Sequence, residues 1–520
     1  MPQNFIESWS EQGFLLPPDV RDWVPPDHLA WFVIDVVKGM KLGSFYSAYR
    51  VDGHGRPAYD PSLMVTLILF AFATGVRSSR AIERHCREHV AFRVITGNLI
   101  PDHVTIARFI CRHEQALAGL FNEVLGLCAE AGLVDSGVVS IDGTRIAANA
   151  SRERNQEFAQ IAMEIVEQVK ATDEAEDQEF GEARGDELPE QLRTPEGRRE
   201  FLRKARQKLK GDDADAGELG AEGEQEEPEG AAEREYEFDP ERVVTRSAGR
   251  RGWLRDADRQ LERQRWEDPD PVPRSREERL VLAAERLEDD LGAERAGNEA
   301  YEDYRRQGRM RDGRRFGRPP DPYQPPEVPA GKVNVTDPDS KLIPDGLSFV
   351  QGYNAQAAVN QHQIVVAAEI TNDSTDFGHL DPMVTAILEE LNQAGIPQRP
   401  EAIAADAGYW NEHHMDEVVA NKHIPVLIAP DKGSRGTPRK TWTGGRSQWM
   451  RAVLQSEHGG PRYRKRRQTV EPVFGHTKHN KGVTRFLRRG RVKVRTEWRL
   501  HMMTNNLTKL YNHQIATMTA

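Results

Sequence analysis

Apolar and polar positions follow three different patterns along this chain, and each predicts a different kind of structure. Up to about residue 135 the spacing is helical. Leu63 to Ala73 is apolar except for Thr66, follows Pro61-Ser62 and closes near Gly75. Proline in a first turn and glycine past the last one bracket a helix, here a buried one. Ser78-Ser79-Arg80-Ala81-Ile82 and Asp102-His103-Val104-Thr105-Ile106 set small polar caps ahead of helical spacing. Short helices parted by Gly or Pro, with arginines outward, suit either a helix-turn-helix-like module or an ordinary bundle. Val138-Val139-Ser140-Ile141 is a short apolar run ending in Asp142 and reads as a buried strand.

Residues 151–330 differ in kind. Phe158, Ile161, Ile165, Val166 and Val169 share one helical face, and Leu280, Ala283, Leu287 and Leu291 share another. Between them lie polar, charged stretches, and Arg318 to Ala330 closes the segment with six prolines. This predicts an inserted helical arm with a disordered middle. From residue 331 the pattern turns to α/β. Tyr353 to Val359 and Ile364 to Ile370 flank Asn360-Gln361-His362 and predict a hairpin. Leu380, Val384, Ile387 and Leu391 make a helix. Ala402-Ile403-Ala404-Ala405 is a strand ending in Asp406, and Ile424 to Ile428 is another. A last helix carries Trp498, Met502, Leu507 and Leu510. The fold class is α/β, a layered sheet behind an all-helical N-terminal domain, and no internal repeat is present. The divisions are 1–135, 136–150, 151–330 and 331–515.

Composition adds limits. The chain has 520 residues, 38% hydrophobic and 29% charged, which fits a water-soluble protein of two or three domains with room for a disordered portion. Its longest apolar run is too short for a bilayer, and Met1 to Trp9 shows no secretory signal. Cys86, Cys111 and Cys128 form no disulfide framework, which fits a reducing cytoplasm. A net charge of −11 argues against a nucleic-acid partner, but the charge is segregated. Gly211 to Asp239 holds 13 acids and one base, Arg234, whereas Arg462 to Arg495 holds 13 Lys/Arg and one acid, Glu471. The first block repels itself and buries no core. The second can neutralise many phosphates, or be no more than a solvated basic surface.

Two aspartates stand where a strand ends. A carboxylate after a buried run costs solvation unless something compensates. A divalent cation would compensate at Asp142 and Asp406; an N-cap after the strand is the ordinary alternative for either alone. Arg467, Glu471 and Lys478 are spaced by 4 and then 7, within roughly 40° on a helix. Such an acid holds a metal while its neighbours grip a phosphate, or forms a weak surface ion pair. Pro472 disfavours helical backbone at Glu471, so the helix either starts near Thr469 or kinks there. Three acids suit two Mg²⁺ ions, and such a pair suits in-line displacement at phosphorus. No phosphate-binding G-x4-G-K-[ST] loop is present, so no nucleotide cofactor is expected. His476 and His479 lack partners for zinc.

These residues resemble the DDE transposases of bacterial insertion sequences, in the group whose third motif reads Y-x2-R-x3-E-x6-K. Arg467, Glu471 and Lys478 match it; Arg464 stands in the tyrosine's place, with Tyr463 one residue off. Val139-Ser140-Ile141-Asp142-Gly143-Thr144 and Ala404-Ala405-Asp406-Ala407-Gly408-Tyr409 resemble the first two acid motifs. The resemblance implies an RNase H-like catalytic domain, Mg²⁺ or Mn²⁺ on Asp142, Asp406 and Glu471, and recognition of terminal inverted repeats. It also implies cleavage followed by strand transfer into target DNA, a homodimer on paired ends, and a place in the bacterial cytoplasm at the nucleoid. Expected DNA contacts are Arg464, Arg467, Lys478 and Lys481, with Arg77, Arg80, Thr105 and Arg108 in the N-terminal domain. Asp142 and Asp406 are 264 residues apart, and removing the 180 residues of 151–330 leaves 84, an ordinary spacing for such a fold. A catalytically silent DNA-binding derivative and a nuclease that cuts without joining are the rival readings.

Overall fold

The computed structural model describes residues 22–49, 57–165, 167, 238–243, 249–270, 273, 275–310, 313, 315–430 and 445–519. The N-terminal region is helical, with helices at Leu29–Gly39, Gly43–Tyr46, Pro61–Ala73, Ser79–Glu88, Val90–Thr96, His103–Arg112 and Glu114–Glu130. Their starts follow the caps in the sequence. Asp60 accepts from Ser62 N ahead of Pro61, Ser78 from Ala81 N, and Asp102 from Val104 N and Thr105 N; each satisfies an otherwise orphaned donor. Helix Pro61–Ala73 is buried on nearly every side. Its one buried polar residue, Thr66, turns its hydroxyl back to Ser62 O at 2.7 Å, so that hydroxyl is not left unsatisfied.

The sheet is mixed. Its strands are β1 (Val138–Ala147), β4 (Lys341–Asp345), β5 (Ser348–Val359), β6 (Val365–Thr371), β7 (Ala402–Ala405) and β8 (Val426–Ile428), while two-residue β2 (Asn155–Gln156) and β3 (Val333–Asn334) pair apart from it. The order is β4-β5-β1-β7-β8, with β6 also on β5. β5 and β6 form the predicted hairpin. β1 runs antiparallel to β5 and parallel to β7, and β7 runs parallel to β8. β1 does not end at Asp142 as the apolar run suggested; pairing with β5 carries it on to Ala147. Helix Arg491–Thr519 packs on β6 and on helices Pro61–Ala73 and Glu114–Glu130. Through Trp498, Met502, Met503, Leu507 and Leu510 it joins sheet and N-terminal helices in one apolar core. Arg499 crosses that junction, paired with buried Glu390 and stacked 4.8 Å over Phe121. No helix among the described residues is long and apolar enough to cross a membrane.

Within 151–330 the two predicted faces meet. Phe158, Ile161 and Ile165 pack against Leu280, Ala283 and Leu287, with Val333 and Val335. Helices Arg250–Glu267 and Arg276–Arg306 pack on each other, and Trp253, Tyr301 and Tyr304 form a cluster of their own. Val166, Val169 and the acidic tract up to residue 237 lie outside the described residues.

The basic block departs from expectation at Pro472. Its helix starts not near Thr469 but at Gly459, and runs to Gly475 with Pro472 inside. Proline cannot donate to the carbonyl four residues back, that of Gln468. Gln363 Nε2 donates to it instead, at 2.9 Å. The helix then passes into a π-helical turn at His476–Asn480.

Candidate active site

The parallel ladder pairs Ile141 with Ala405. Asp142 follows Ile141 within β1 and Asp406 follows the last residue of β7, so the two aspartates lie side by side where these strands, roughly 4.8 Å apart, cease to pair. Asp406 Oδ1 accepts from Gly408 N at 2.8 Å and caps a short turn. Asp142 Oδ1 accepts from Gly143 N at 2.9 Å, and its Oδ2 from Arg466 Nη1 at 2.9 Å. Burial pushes the Asp142 carboxyl up to about 6; Arg466 opposes that rise, while Asp406 and Asp376 add to it. A third carboxylate therefore belongs to this neighbourhood. Asp376 follows β6, and its Oδ1 accepts from Asn354 Nδ2 at 2.9 Å and Gln356 Nε2 at 2.8 Å. Gln356 in turn accepts from the Tyr409 hydroxyl, buried beneath the acids. That phenol is held well above its ordinary range by burial and by the charges of Asp376, Asp142 and Asp406.

Glu471 is placed differently. It is exposed on helix Gly459–Gly475, which packs on β1, β5 and β7. Among the described residues no three His, Cys, Asp or Glu side chains are close enough to hold a metal ion. The arginine that enters the site is Arg466, its side chain 12% exposed, whereas Arg464 and Arg467 face solvent. Counting back from Glu471 hides it. Counting forward from Tyr463, which packs beside Val138, Ala402, Ala404 and Leu427, keeps the Y-x2-R spacing and lands on Arg466. Lys478 is half-buried and donates to Arg145 O on β1 at 2.9 Å, and burial lowers its ammonium from the ordinary lysine value.

Several expected DNA contacts already have partners within the chain. Lys481 is 5% exposed, donates to Thr504 Oγ1 at 3.1 Å, and burial brings its ammonium down to about 7. It is a core group as it stands. Arg77 donates to Arg485 O and Gly482 O at 2.8 and 2.9 Å, and Glu497 lies 3.9 Å away. It braces the N-terminal helices against the loop after the basic helix. Thr105 spends its hydroxyl on Asp102 at 2.7 Å. Arg80 and Arg108 remain exposed.

Lys481 yields a test. Its folded value lies below that of an exposed lysine, so the penalty for charging it is absent above the ordinary lysine range and grows as pH falls toward 7. Lys481→Met is expected to raise the melting temperature by a few degrees at pH 7. The gain should shrink toward pH 10, with the salt dependence of DNA binding unchanged. Thermal melts and salt titrations check both.

Two family matches come in order on the chain. Residues 18–112 match a transposase domain family (DUF772), and residues 431–511 match a transposase DDE domain family. The first covers the helices up to His103–Arg112, the second Glu471, Lys478 and the final helix to Tyr511. No curated protein and no solved structure matches the chain. A transposase domain followed by a transposase DDE domain on one chain supports reading it as a DDE transposase of an insertion sequence, and such domains imply DNA as the partner.

Proposed function

We propose that this transposase cuts DNA at the ends of its element and joins the freed 3′ ends to target DNA, with Asp142, Asp406 and Glu471 holding Mg²⁺ or Mn²⁺. The observation that carries the reading is the register that sets Asp142 beside Asp406 on parallel strands. Three antiparallel strands, β6, β5 and β1, followed by parallel β7 and β8 are the order an RNase H-like sheet requires.

The residues fit a hard divalent cation. The donors are carboxylate oxygens, and glycine keeps the space around them open. A Cβ on Gly408 would stand 2.8 Å from Asp406 Oδ1, and one on Gly143 would stand 2.5 Å from Asp376 Oδ1. Arg466 meanwhile supplies the positive charge at Asp142. When bound, the metal would lower the barrier to attack at phosphorus and balance the departing oxygen. The chain's own groups do the rest. Glu471, exposed on its helix, swings toward the aspartates as DNA arrives. Arg464 and Arg467 on the same helix meet the DNA backbone, and Lys478 beside β1 holds the scissile phosphate. Arg80 and Arg108 contact the terminal repeats, and two copies pair two ends.

Glu471→Gln is expected to abolish Mg²⁺-dependent nicking of DNA with inverted-repeat ends while leaving DNA binding intact. Unchanged nicking would refute the assignment. Strand transfer from a pre-cut 3′-hydroxyl end separates joining from cutting alone. Arg108→Ala is expected to weaken end binding and reduce the salt slope by about one; an unchanged slope removes that residue from the interface.

A further inference from the structure

We infer that Asp376 is a working carboxylate of this site: as they stand, no three acids among the described residues are near enough to share an ion, and the divalent cation draws Asp376, Asp142 and Asp406 together when it binds, before DNA is present. The inference rests on the reading above and adds a ligand to it.

Asp376 is held on one side only. Asn354 and Gln356 are two apart on β5 and so share a face of the strand. Both donate to Asp376 Oδ1, at 2.9 and 2.8 Å. Gln356 stands opposite Gly143 in the β1–β5 ladder, and its other end is fixed by Tyr409. This scaffold sets the orientation of the carboxylate and aims the second oxygen elsewhere. Oδ2 accepts no hydrogen bond among the described residues. It would stand 3.1 Å from a Cβ on Gly408, and Asp406 Oδ1 would stand 2.8 Å from the same point. Two oxygens of two acids thus face one small space at the end of β7. Oδ1 roofs the other glycine, at 2.5 Å from a Gly143 Cβ, with Gln356 Nε2 at 2.4 Å and Asn354 Oδ1 at 2.6 Å. One carboxylate therefore covers the residue after Asp142 and faces the residue two beyond Asp406, and glycine is what both positions require.

An ordinary anchor would also accept two amide donors. It would not leave its second oxygen turned toward another carboxylate, where like charges repel unless a cation lies between them. Glu471, with its exposed side chain on a separate helix, then becomes the ligand that DNA brings in.

The test is Mn²⁺ binding to the full chain without DNA, by calorimetry and by the Mn²⁺ paramagnetic resonance signal. Asp376→Asn keeps an acceptor for both amides and removes the charge. It is expected to weaken Mn²⁺ binding at least about tenfold, as Asp406→Asn does. Glu471→Gln should weaken it by less than about threefold. Asn354→Ala cuts one tether and keeps the charge, and is likewise expected to cost less than about threefold. Equal losses in N354A and D376N would make Asp376 a structural anchor and overturn the inference. So would wild-type Mn²⁺ affinity in D376N alongside loss in D142N and D406N, with the wider functional reading left standing. Wild-type affinity in all of these variants would overturn both.

Discussion

Asp142→Asn is expected to cut Mg²⁺-dependent nicking by at least about a thousandfold, roughly 4 kcal/mol of barrier, while the protein folds as well as before. Two separate observations lead there. Asp142 lies inside a strand, beside Asp406 across the ladder, so a cation held there would lose one of its charged ligands. The fold, by contrast, does not depend on that charge. Burial raises the Asp142 carboxyl to about 6, well above the ordinary carboxylate range. The sign follows. Its contribution to stability is fully present below that ordinary range and is lost as pH rises through about 6. Asparagine carries no charge to desolvate and still offers Arg466 an oxygen. The melting temperature of Asp142→Asn should therefore equal or exceed the wild-type value at pH 7.5, and the difference should narrow toward pH 5. Nicking assays beside melts at the two pH values check this. A variant that melts lower at pH 7.5 yet still nicks would contradict both halves.

Gly352→Ala is expected to have the largest effect on folding, about 3 kcal/mol or more. A Cβ there would lie 2.3 Å from Ile146 O, 3.1 Å from Ile146 C and 3.2 Å from Ala147 Cα. All three are backbone atoms, so no rotamer relieves the contact. β1 and β5 would have to part at the pair Ala147–Gly352, five residues along the ladder from Asp142–Ala357. The measurement is a urea midpoint. An unchanged midpoint would mean that the strands separate at no cost, which the close approach forbids. If the strands do part, nicking should fall along with stability, because the same ladder positions Asp142.

What could be read from the sequence was local. The opening at Pro61, the caps at Ser78 and Asp102, the turn at Asn360-Gln361-His362 and the apolar run into Asp406 each act within a few residues. The face of Phe158, Ile161 and Ile165 and that of Leu280 and Leu287 are each legible alone, whereas their meeting is set by the fold. What escaped was set by partners far along the chain. Nothing near Asp376 marks it, because its role comes from Asn354 and Gln356 on another strand. Lys481 and Arg77 carry the same charge as their exposed neighbours, and only Thr504 and the carbonyls of Gly482 and Arg485 account for their burial. Gly459-Gly460-Pro461 looks like a helix breaker. Instead it opens a helix, since proline's missing N–H costs nothing in a first turn. Gly459 also fits tightly, with 2.2 Å between its would-be Cβ and Val453 O.

Synthesis on the ribosome sets a problem that the small β2–β3 ladder answers. β1 ends at Ala147, but its antiparallel partner β5 is complete only at Val359. At about 5–20 residues per second, the nascent strand waits roughly 10–40 s for that partner, its edge open to neighbouring chains. Pairing of Asn155–Gln156 with Val333–Asn334, sealed by Phe158 and Ile161 against Leu280, Val333 and Val335, brings the two ends of the intervening segment together. Closure entropy grows with the logarithm of loop length, so a segment that has already folded turns a long search into a short one. A translating chain whose helical insertion zips up first delivers β5 to β1 almost in place, and shortens the time in which half a sheet could seed aggregation.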